Sequence, residues 1–110
     1  MLSCAYGAGA GVRERTFVGP QFEIVDLSVN KFSDGTLLNV NGYVKNSSFA
    51  SVKGYVVVYF NNGGNVVLAL EENVNGGAPF LHGSKGFFEV STNIEGLPKI
   101  NNITVEFISR

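Results

Sequence analysis

The sequence predicts an all-β fold: a single immunoglobulin-like β-sandwich of about six to seven antiparallel strands, preceded by a Gly/Ala-rich N-terminal extension. Fifteen Val stand against one Met and no Trp, and β-branched side chains suit a pleated surface better than a helix. From Phe22 onward apolar residues recur with period two, broken by Gly and Asn where turns belong. No helical periodicity survives more than one turn. A chain of 110 residues suits one domain, because single cores are typically built from about 100 to 150 residues. The expected division is an extended segment over residues 1–20 and the sandwich over residues 21–110.

The first segment differs from the rest in composition. Gly7-Ala8-Gly9-Ala10-Gly11 has side chains that bury almost nothing, and Arg13-Glu14-Arg15 is a solvated charge cluster. Small residues let a backbone approach a strand edge closely, so the segment is expected to be ordered by another subunit, with Val12, Phe17 and Val18 as anchors. The single cysteine, Cys4, has no internal disulfide partner. Leu2-Ser3-Cys4 resembles the end of a bacterial lipoprotein signal, which implies lipidation at Cys4 if a longer precursor supplies the apolar region upstream.

The strands follow in order. Phe22 and Ile24 share one phase, while Val25, Leu27 and Val29 share the other, so the alternation slips between Ile24 and Val25. Such a slip predicts a β-bulge or an edge strand that changes sheets. Asp34-Gly35 marks a turn. Leu38, Val40, Gly42 and Val44 form the inward row of a second strand, and Val52, Gly54, Val56, Val58 and Phe60 that of a third. Residues 46–51 form the short loop between them. Asn61-Asn62-Gly63-Gly64 has the tolerance of positive φ that a tight hairpin needs, and Val66, Leu68 and Leu70 resume the alternation. After a Gly-rich loop at Asn75-Gly76-Gly77, Phe88 and Val90 mark a fifth strand, and Ile103, Val105 and Phe107 a sixth. The expected core contains Val40, Val44, Val56, Val58, Phe60, Leu68, Phe88, Val105 and Phe107. Periodicity alone does not separate a sandwich from a closed barrel.

The run Val40-Asn41-Gly42-Tyr43-Val44-Lys45-Asn46-Ser47-Ser48 resembles the opening of the FxLYD domains, small prokaryotic envelope modules. Gly42, Val44 and Asn46 match their first strand; Val57, Tyr59, Phe60 and Asn61 stand where the naming motif falls, in degenerate form. Gly64 matches the turn, and Gly83 with Phe88 approximates the last strand, so the resemblance covers residues 38 to 90. It implies an immunoglobulin-like sandwich exported from a prokaryote, often lipid-anchored, with no known chemistry.

Several function classes are disfavoured. A net charge of −1 with basic residues scattered singly offers no nucleic-acid surface. An apolar run such as Val56 to Phe60 is far short of the roughly 20 residues that cross a bilayer as a helix, so no transmembrane segment is expected. The only imidazole, His82, lies in a loop without a visible triad partner. Glu71 and Glu72 are adjacent, and neighbours on a strand point to opposite faces. Asp26 and Asp34 are the only aspartates, too few for a calcium cage. No catalytic, cofactor-binding or metal residue, and no cofactor, is therefore expected. The triplets Asn46-Ser47-Ser48 and Asn102-Ile103-Thr104 have the glycosylation pattern, but twelve asparagines make chance matches common; only Asn46, on its loop, is a plausible acceptor, and neither is taken as a site.

What remains is contact. Tyr43 on the second strand, and Tyr55, Val57 and Tyr59 on the third, share the outward phase and would form one row if those strands pair as a hairpin. The expectation is a non-catalytic structural or assembly subunit of a filament or cell surface, extracellular or in a prokaryotic envelope. It would act through protein–protein contact with itself or another surface protein. The alternative is a monomeric, lipid-anchored envelope module that binds a ligand or partner protein.

Overall fold

The computed structural model describes residues 7–8 and 21–110. Six long strands form two antiparallel sheets that pack face to face: β2 (Phe22–Phe32), β3 (Leu37–Asn46), β4 (Gly54–Asn62), β5 (Asn65–Asn73), β6 (Lys85–Asn93) and β7 (Asn102–Ser109). A two-residue piece, β1 (Gly7–Ala8), runs parallel to β7. The strand orders are β2-β3-β6 in one sheet and β1-β7-β4-β5 in the other. Labelled in the immunoglobulin manner, these are A-B-E and F-C-C′, and β1 sits on the edge of F where that architecture places strand G.

The core is the interdigitated inner face of both sheets. Val40, Val44, Val56, Val58, Phe60, Phe88, Val105 and Phe107 are buried, joined by Val29, Leu38, Val74, Phe80, Ile100 and Ile103. Leu68 departs from expectation: it is only partly buried against this cluster. Its strand, β5, is a sheet edge paired with β4 alone, so one flank of Leu68 has no neighbouring strand to cover it.

Irregularities carry the chain around the core. In β2 the register passes from Val25↔Tyr43 to Ser28↔Asn41, so Asp26 and Leu27 together oppose Gly42. The expected bulge exists, displaced from the predicted junction, with Asp26 at φ 54°. A Cβ at Gly42, opposite it, would lie 3.2 Å from the Phe88 ring and 3.4 Å from the Leu27 Cα, so the ring would have to give by a few tenths of an ångström to admit a side chain. The turn at Asp34-Gly35 and the hairpin at Gly63-Gly64 are present, the latter closing on Asn62↔Asn65.

Residues 47–53 do not close a hairpin. β3 and β4 lie in different sheets, so this loop crosses from one to the other. Asn46 pins the crossing. Its side chain is fully buried, and its Nδ2 donates to the carbonyls of Ala50 (2.8 Å) and Phe80 (3.1 Å). Its Oδ1 accepts from the Ser48 amide (2.9 Å) and hydroxyl (2.6 Å). Its main chain bonds Ser84 and Gly83. One side chain thereby ties the 47–53 loop to the 78–84 loop, with its own polar groups satisfied.

Candidate interaction surfaces

The sandwich divides the four residues of the expected aromatic row. Tyr43 lies on the outer face of the β2-β3-β6 sheet, whereas Tyr55, Val57 and Tyr59 lie on the outer face of β4 in the other sheet. The row assumed a β3–β4 hairpin; parity placed each side chain on an outer face, but the crossing loop put the two faces on opposite sides of the molecule.

Tyr43 instead joins a row that spans three strands. Val25, Tyr43 and Phe87 are in register across β2, β3 and β6. The Tyr43 and Phe87 rings meet at a centroid distance of 5.3 Å and a tilt of 59°, and Lys85 Nζ lies 4.8 Å from the Tyr43 centroid. Phe87 remains 43% exposed. Its neighbour Phe88 is core, so the Phe87-Phe88 dipeptide signalled in advance that one aromatic ring had to face outward.

Below this row the face turns polar. Asn41 pairs with Glu89, and Asn39 pairs with Asn30 on one side and Ser91 on the other. Asn39 Nδ2 donates to Glu89 Oε2 (2.9 Å) and Ser91 Oγ (2.8 Å), and Asn41 Nδ2 donates to Asn39 Oδ1 (2.8 Å). A second apolar row, Phe32 beside Leu37, closes the strip, with Phe32 48% exposed. The result is a sheet face with apolar rows on both sides of a hydrogen-bonded amide ladder. Around it, the Lys85–Asp26 ion pair (3.5 Å) joins two exposed groups and holds little free energy in water.

The outer face of β4 is more closed. Tyr59 Oη donates to Glu106 Oε1 at 2.7 Å, and the Arg110 guanidinium lies 4.6 Å from the Tyr55 centroid. Val57, between the two tyrosines, is 8% exposed. The Tyr59 hydroxyl and one face of the Tyr55 ring are thus engaged within the chain. Beside them, Glu71 and Glu72 project from the β5 edge, and both are exposed.

At one end of the sandwich the two tied loops present an apolar tip. Phe49 is 99% exposed, and its ring stacks on that of His82 at 5.7 Å. His82 Nδ1 contacts the Ser48 carbonyl, which requires the Nδ1–H tautomer as donor. The imidazole is held by a backbone carbonyl and a phenyl ring. Among the described residues no three His, Cys, Asp or Glu side chains gather to hold a metal. Nor is any described helix long and apolar enough to cross a membrane. Asn46 is buried with its amide bonded, so the first glycosylation triplet offers no accessible acceptor. Cys4, Val12, Phe17 and Val18 lie outside the described residues. Compared with known proteins, the chain matches no family model, no curated protein and no solved structure.

Proposed function

We propose that this protein is a non-catalytic structural or assembly subunit of a prokaryotic cell surface or filament, acting through protein–protein contact between copies. The observation that carries the reading is the outer face of the β2-β3-β6 sheet, where Val25-Tyr43-Phe87 and Phe32-Leu37 flank a hydrogen-bonded strip. Interfaces combine apolar anchors enriched in aromatic residues with fixed polar groups. Here the ladder holds its side chains in place before any partner arrives, which lowers the ordering cost of association. Localisation outside the cytoplasm rests on the lipoprotein-like Leu2-Ser3-Cys4 and on the FxLYD-like run from Val40 to Ser48.

A second reading has its own support. The division of Tyr43 from Tyr55, Val57 and Tyr59 removes the single continuous patch expected for a filament contact. That favours a monomeric envelope module, anchored through Cys4, that binds a ligand or another protein. Light scattering on the full chain over a wide concentration range separates the two. The assembly reading expects mass to rise with concentration; a constant monomer mass at the highest attainable concentration removes it and leaves the monomeric module.

A further inference from the structure

Along the outer face of the β2-β3-β6 sheet the rows follow a definite order of chemistry. Every second residue of β3 and β6 faces outward. The first row carries Lys45 and Lys85, with Glu23 beside them on β2, and the next carries Tyr43 and Phe87. The two rows of the amide ladder follow, then the apolar pair Phe32 and Leu37. Past these the face ends on two exposed acidic residues, Asp34 in the β2–β3 turn and Glu95 in the turn after β6. Ile94 packs on the core and Asn93 Oδ1 accepts from the Glu95 amide (2.8 Å), so the alternation carries on to Glu95. The order is basic, apolar, polar, polar, apolar, acidic: symmetric in polarity about the ladder, with opposite charge at the two ends.

A face so ordered is complementary to itself. We propose that it is the isologous contact of a closed dimer, in which a second copy of this chain packs on it face to face. The two-fold axis runs across the strands between the rows of Asn41 and Asn39 and turns the second copy end for end. The inference rests on the contact-face reading above and narrows it, because an isologous contact closes on itself and any longer assembly needs another surface.

Under that axis each apolar row meets the other copy's apolar row, and ladder meets ladder. Lys45 and Lys85 meet Glu95 of the second copy, within side-chain reach for sheets packed about 10 Å apart. The pair that Lys85 already makes with Asp26 is exposed on both sides and too weak in water to withhold the lysine. One like-charge approach results, Glu23 toward Asp34, and Lys45 in register with Glu23 offsets it. An axis along the strands is less favourable. It would set Lys45 on Lys45 and Asp34 on Glu95, with Glu23 against Lys85 as the one gain. Nine residues of β3 and three strands make a face of about 30 by 14 Å, roughly 400 Å² of plane per copy before side-chain relief. That is the low end of specific interfaces, so the dimer is a reversible one.

The test is zero-length carbodiimide cross-linking of the full chain in reducing buffer, with the linked peptides read by mass spectrometry. Glu95 follows Lys85 by ten residues, about 30 Å along the strand, and Lys45 is in register with Lys85. A bond from Glu95 to either lysine therefore forms only between copies. The expected product is a covalent dimer carrying that link. Charge reversal gives an independent reading by sedimentation. Lys85→Glu and Glu95→Lys should each weaken dimerisation at least tenfold, and an equimolar mixture of the two should recover it, since both contacts are then restored in the heterodimer. A parent that associates without the Glu95 link, or single variants that associate as the parent does, overturns the two-fold arrangement while leaving the contact face in place. A parent that stays monomeric overturns both.

Discussion

Replacing Asn46 with Ala removes four side-chain hydrogen bonds at a fully buried position. A net bond contributes about 0.5 to 1.5 kcal/mol, and a stranded buried group costs about 1 to 3 kcal/mol. The partners are not equally stranded. Ala50 is exposed, so water replaces the lost donor there, whereas Phe80 is buried and keeps only the Val52 amide on its carbonyl. Counting the Phe80 and Ser48 groups in full and Ala50 lightly gives a destabilisation of about 2 to 4 kcal/mol. Asn46→Asp should be worse at neutral pH, because it points a carboxylate at two carbonyl oxygens in a buried site. Urea unfolding monitored by tyrosine fluorescence measures the loss, and NMR shifts of Phe49 and His82 report whether the loops separate. If Asn46→Ala changes stability by less than about 0.5 kcal/mol, the residue does not hold the crossing and the account of these loops fails.

Two further substitutions probe the packing. Phe88→Ala empties a ring that is 1% exposed and should cost about 3 to 5 kcal/mol, read as a lower urea midpoint with an unchanged slope. Gly54→Ala drives a methyl group into the Ile108 carbonyl and the Phe107 ring. It should destabilise by at least about 1 to 3 kcal/mol, and a thermal midpoint within error of the parent would show that β4 and β7 do not approach so closely.

Parity along each strand was legible from sequence because a half-buried strand must alternate; the inward rows of β3, β4 and β7 follow the expected phases, and the Gly63-Gly64 hairpin stands where its turn chemistry required. The β2 bulge was legible as a slip but not to the residue. Val25 tolerates the outer face by packing beside Tyr43, so its hydrophobicity was a poor guide to the step. Sheet membership was not legible, because period two states which way a side chain points and not which strand lies beside it. That gap divided Tyr43 from Tyr55, Val57 and Tyr59, and it hid the row that Phe87 completes. Asn46 matched a motif position, but only the crossing of the 47–53 loop shows why an amide, with two donors and an acceptor, is required there.

Sedimentation velocity on the full chain and on the double variant Tyr43→Ser, Phe87→Ser tests the proposed contact face most directly. Both residues retain solvent exposure on the outer sheet face, and their ring pair contributes about 0.5 to 1.5 kcal/mol, so the variant should remain folded. The account predicts concentration-dependent association of the parent chain and its loss in the variant, with Tyr55→Ser, Tyr59→Ser associating as the parent does. Equal association of parent and Tyr43→Ser, Phe87→Ser would contradict it.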